Sequence, residues 1–163
     1  KVSSQFKLDI KDIGKLNLFS NINVLDHNIA MSDLRSDVIA SFALGQPEAL
    51  PIIYGDVIEL HSLKVEYEES GLIAHLLPKS ALSRDSNENQ LNGLKYMSQA
   101  LGFAPANSTE AEQIAETLLT FLKQPEKLNL TMSPPSAISL KELALLANEG
   151  TLYKDSKMTL SND

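Results

Sequence analysis

Apolar residues fall at every second position between Phe6 and Val24: Phe6, Leu8 and Ile10, then Leu16, Leu18, Ile22 and Val24, with Asp12 to Gly14 between the runs. Successive strand side chains point to opposite faces, so the alternation predicts an antiparallel hairpin with one dry face. Gly14 supplies the positive φ such a turn often needs. The other face carries Lys7, Asp9, Lys11, Lys15, Asn17, Asn21 and Asn23 and reads as wet. A second strand pattern, "VIELHSLKVEY", changes parity: Ile58 and Leu60 share one face, whereas Leu63, Val65 and Tyr67 share the other. A bulge near His61 and Ser62 reconciles the two sets; the alternative is a strand covered on both faces for part of its length. "KLNLTM" alternates again through Leu128, Leu130 and Met132 and ends at Pro134 and Pro135.

Between these runs the spacing lengthens to that of helices. Ile29, Leu34, Val38, Phe42 and Leu44 suit one helix, closed by Gly45 and Pro47, and a short irregular or helical turn follows over 48–54. After Gly71 come the cluster Leu72, Ile73, Leu76 and Leu77, then the stripe Leu91, Leu94, Met97 and Leu101. The polar stretch 83–90 between them reads as an inter-helix loop. Thr109 and Glu112 stand in capping-box spacing ahead of Ala111, Ile114, Ala115, Leu118, Phe121 and Leu122, and Ser139 and Glu142 do so ahead of a helix ending near Gly150. The polar tail over 154–163 is expected to fray. This order of elements predicts an α+β fold: one domain over 1–163, with a mostly antiparallel sheet of about four strands and helices packed on one face.

Composition narrows the function classes. With 163 residues, 43% of them hydrophobic, the chain can build a real core. Its net charge of −7 repels a phosphate backbone, and no Lys/Arg cluster offsets that, so nucleic-acid binding is disfavoured. Without cysteine there is no disulfide, thiolate nucleophile or Cys-bound zinc. No stretch approaches a membrane span and no signal-peptide pattern opens the chain. Because it begins at Lys1, it reads as a fragment or mature portion of a longer protein, with membrane association only through a segment absent from it.

Candidate chemistry concentrates at "VEYEESGLIAHLL". Glu66, Glu68 and Glu69 could serve as acid–base carboxylates or bind a hard cation. Against this, Glu66 and Glu68 lie on the wet parity, and Glu69 stands just ahead of a helix start, where negative charge is favoured. The structural reading is therefore preferred: the acidic residues form the joint between strand and helix. His27, His61 and His75 have no metal-ligand spacing, and neither a phosphate-binding glycine loop nor a G-x-S-x-G elbow occurs. No cofactor or metal is called for. "SPPSAISLKE" is punctuation between strand and helix rather than a proline-rich ligand, and the N-x-S/T triplets at Asn107 and Asn129 matter only in a secreted eukaryotic chain.

The segments "LHSLKVEYEESGLIAHLL" and "LLTFLKQPEKLNLTMSPPSAISLKELALL" resemble a class of alphaproteobacterial envelope proteins. In that class a strand ending in Tyr and acidic residues precedes a Gly-Leu helix start, here Tyr67, Glu68, Gly71 and Leu72. A later helix ends at Phe-x-x-x-Pro before a strand and a proline-bearing link, here Phe121, Pro125, Leu128, Leu130 and Pro134. The resemblance covers about half the chain. It implies a periplasmic or otherwise extracytoplasmic location in a Gram-negative cell, and carries over no catalytic residue. The expected function is a non-enzymatic envelope module that binds a protein partner or an apolar or lipid ligand through its sheet or a helix groove. The alternative is a hydrolase or metal-dependent enzyme, which requires His61, Glu66, Glu69 and His75 to converge in one concave pocket.

Overall fold

The computed structural model describes residues 1–77 and 87–163, and it is α+β. The predicted hairpin forms as β1 (Val2–Ile10) and β2 (Gly14–Val24). Two helices, α1 (Met31–Ala43) and α2 (Ala49–Tyr54), lead to β3 (Ile58–Glu69), and α3 (Leu72–Leu76) follows it. Then come α4 (Asn87–Ala100), α5 (Thr109–Lys123) and β4 (Lys127–Met132). The chain ends with β5 (Ile138–Ser139), α6 (Leu140–Glu149), α7 (Leu152–Asp155) and β6 (Met158–Ser161). Of the stretch expected as an inter-helix loop, residues 83–86 lie outside the described residues, and Asn87 to Gln90 open α4.

All strands join one antiparallel sheet in the order β1-β2-β3-β4-β6, with β5 on β3 beyond the end of β4. The bulge sits where the parity change required it. Asn21 pairs with Ser62 and Ile22 with Leu60, so His61 is the unpaired extra residue. It returns Leu60 and Leu63 to the same side, and one face of β3 stays apolar along its length. Two strands were not foreseen. Pro134 and Pro135 interrupt the ladder between β4 and β5, and the tail expected to fray instead pairs as β6 along β4.

Helices cover the apolar face unevenly. Leu60, Met132, Ile138 and Met158 form one core, packed by Leu143 and Leu146 of α6. Leu34, Tyr54 and Ile58 form a second under α1 and α2, and Ala104, Ala111 and Ile114 a third on α5. Ser108, rather than Thr109, caps α5, its Oγ accepting from Ala111 N at 3.1 Å; Ser139 caps α6 as expected. On α4 the covered side runs through the half-buried Leu91 and Leu94 and the fully buried Ser98, while Met97, and Leu101 just past its end, both expected inside, are exposed. α4 packs along α5, where Ala111 and Ala115 are also fully buried.

Candidate functional site

The strand-to-helix joint is built by a hairpin tip reaching back to the end of β3. The carbonyl of Ile13 accepts from Ser70 N at 3.1 Å and Leu72 N at 3.2 Å, and the Tyr67 hydroxyl lies 3.0 Å from it. Two glycines make room. A Cβ on Gly14 would stand 2.6 Å from the Glu68 carbonyl, and one on Gly71 2.4 Å from that of Asp12. The left-handed turn residue proper is Asp12, with φ of 62°. Gly14, with φ of 156°, also has the positive φ expected of it, besides the need for space.

Glu69 holds this joint together as an acceptor. Its carboxylate accepts from the Tyr67 hydroxyl at 2.7 Å, from Gly71 N at 2.5 Å and from Ile73 N at 3.1 Å. Desolvation pushes its pKa up, but the hydrogen bonds from Tyr67 and from the amides of Ile73, Gly71 and Leu72 outweigh it, leaving the net value below the ordinary 4.5. Tyr67 moves the other way: burial, then the hydrogen bond to Glu69 and its charge, raise it from 10.0 to about 12. Its ring packs edge-on against Phe121, with centroids 6.1 Å apart, which ties the joint to α5.

The other candidates are spread out. Glu66 lies on the polar face, 2.7 Å from Lys64, whose hydrogen bond lowers its pKa against the desolvation that raises it. His75 is exposed and places Nδ1 2.6 Å from the carbonyl of Gly71, so it and Glu69 meet only through that residue's backbone. His61 occupies the bulge, its Nε2 buried without a partner. Among the described residues no group of acids and histidines could hold a metal ion. Among the described residues, one shallow hollow of about 200 Å³ lies beside Phe103, Ser108 and Thr151, and another of about 280 Å³ beside Asn92, Lys95 and Tyr96. Neither contains a candidate residue, and neither reaches the roughly 300 Å³ at which small-molecule sites begin.

What stands out instead is β1. Its pairing places Phe6 beside Leu18, and Leu8 beside Leu16, on the same apolar face as Val65 and Tyr67. Yet Phe6 is 52% exposed, Leu8 42% and Ile10 41%, and no side chain of β1 enters any of the three cores. Among the described residues the outer edge of the strand has no neighbour. Sequence periodicity found this dry face and expected helices packed on it; the structure leaves its β1 portion exposed.

A family model described as "Uncharacterized protein" matches residues 7–163. The chain belongs to that family. No curated protein and no solved structure matches it. The matched span takes in Leu8 and Ile10 of β1 but not Phe6, together with the joint and all of the helices described above.

Proposed function

We propose that this chain is a non-enzymatic interaction module of the cell envelope, which takes a protein partner along the free edge and bare apolar face of β1. One observation carries the reading: a nine-residue edge strand keeps Phe6, Leu8 and Ile10 in solvent, while Leu60, Leu63, Leu130, Met132 and Met158 on the same sheet lie in a packed core. An added strand is held mainly by backbone hydrogen bonds, with alternate side chains giving specificity, and so needs no special chemistry. A polypeptide also suits the shape better than a free lipid, because the apolar surface is a strip along a sheet edge. The envelope location rests on the resemblance of the Tyr67 and Phe121 segments.

Native mass spectrometry of the protein purified from its own host tests the reading. The expected spectrum contains the chain bound to a polypeptide, and Leu8→Lys removes that adduct while leaving the circular dichroism spectrum unchanged. A lipid-sized adduct would replace the protein partner with a lipid. The bare chain alone, in both wild type and variant, would sink the module.

A further inference from the structure

Resting on that reading, we infer that the occupant of the β1 edge is a second copy of this chain, paired antiparallel about a two-fold axis at Leu8. The charge pattern of the polar face argues for it. Across β4, β3, β2 and β1 the register lines up Lys127, Glu68, Lys15 and Asp9, a row of alternating sign that stops at the free edge on an anion. The Lys15 ammonium is 3.7 Å from the Asp9 carboxylate, so the row is already paired at its outer end. The neighbouring row ends on a cation: Asn129, Glu66, Asn17 and Lys7. A strand that continues both rows must set a cation beside Asp9 and an anion beside Lys7. β1 itself, reversed, does this.

Backbone geometry limits the ways two such edges can meet. In an antiparallel ladder alternate residues turn both N–H and C=O to the same side, so outward-facing positions of one copy must oppose outward-facing positions of the other. The symmetric registers this allows are centred on a residue. Centring on Lys7 sets Lys7 against Lys7, and centring on Asp9 sets Asp9 against Asp9, like charges directly opposed. Centring on Phe6 sets Lys7 against Gln5 and Leu8 against Ser4, which wastes both the charge and the apolar surface. Centring on Leu8 sets Lys7 against Asp9 twice, Leu8 against Leu8 and Phe6 against Ile10 twice. The apolar row Leu128, Tyr67, Leu16 and Leu8 then runs unbroken through the axis into its symmetry mate. Five residue pairs form, which places the dimer among weak, reversible associations.

The chain has no native cysteine, so single thiols report the register directly. Directly opposed Cα atoms lie about 4.5–5.5 Å apart in an antiparallel pair, within disulfide reach. Under mild oxidation Leu8→Cys should form a covalent dimer, and a mixture of Lys7→Cys with Asp9→Cys should cross-link faster than either alone. In sedimentation velocity, Lys7→Asp or Asp9→Lys should each weaken self-association by about tenfold, and the double swap should restore it. A monomer at every concentration, cross-links reporting another register, or no recovery in the double swap would overturn the two-fold pairing. A heteromeric adduct that Leu8→Lys abolishes, with the chain otherwise monomeric, overturns the dimer yet leaves the interaction module intact. Loss of both adduct and dimer removes the module as well.

Discussion

The two ends of the sheet are managed in opposite ways. At the far end β6 is only four residues long, Met158 is 6% exposed inside a core cluster, and Leu160 packs with the third core on α5. At the near end β1 runs nine residues, touches β2 alone among its larger contacts, and leaves its apolar side chains wet. Both ends are antiparallel edges with the same alternating pattern, so local sequence is not what separates them. Short or covered edges suppress unwanted pairing, whereas a long bare edge invites it. The contrast therefore places stability at one end and, on the function proposed above, recognition at the other.

The contrast breaks most visibly in the roofed half. Ile114, 2% exposed, should cost about 2–5 kcal/mol when cut to alanine, because the buried methyl groups leave a cavity. Urea unfolding checks it, and a loss below about 1 kcal/mol would contradict a tightly packed roof. At the joint between the halves, Gly71→Ala should cost about 1–3 kcal/mol, since φ of 147° strains an L-residue and the new Cβ meets the Asp12 carbonyl. This variant also tests whether the hairpin tip is pinned to β3: if the tip moved freely, only the backbone strain would remain and the cost would fall to about 1 kcal/mol.

The joint has a pH signature of its own. Glu69, held below its ordinary 4.5, contributes stability that is present above that value and lost as pH falls through its folded pKa. Tyr67 has the opposite sign: raised from 10.0 to about 12, it contributes stability fully present below pH 10 and lost as pH climbs towards 12. Glu69→Gln should therefore flatten the acid limb of the stability profile, and Tyr67→Phe the alkaline limb. Tyr67→Phe should cost about 0.5–1.5 kcal/mol at neutral pH by removing a hydrogen bond while keeping the ring against Phe121. Since the two groups bond to each other, the double variant should lose less than the sum. Unchanged limbs in both single variants would mean that the carboxylate and hydroxyl do not meet in solution.

Much of this arrangement was legible in the sequence, for definite reasons. The parity switch between Leu60 and Leu63 demanded an extra residue, and His61 supplies it. The placing of the acidic residues was legible as well: Glu66 has the wet parity and pairs with Lys64, and Glu69 precedes Gly71, whose amide it accepts from. β6 was illegible: Met158 and Leu160 are only two apolar positions in a polar tail, and pairing with β4 makes them a strand. The bare face of β1 was illegible for a different reason. Alternation says which side of a strand is apolar, but what lies over that side is set by helices distant in sequence, here α5, α6 and the α1–α2 pair, all roofing the other strands.

The smallest expected effect is the sharpest test of the comparison. Phe6→Ala removes a large apolar side chain, and a buried phenylalanine lost this way costs about 3–5 kcal/mol. Phe6, however, is 52% exposed and belongs to no core, so its loss should change folding stability by no more than about 0.5 kcal/mol. Measured on dilute protein, where no partner can contribute, a penalty of several kcal/mol would mean that the face is roofed after all and that the two ends do not differ. If instead the variant folds as stably as wild type but associates more weakly, the same side chain is shown to be idle in the monomer and engaged in the complex. That division of labour is what separates an edge kept for recognition from one merely left unfinished.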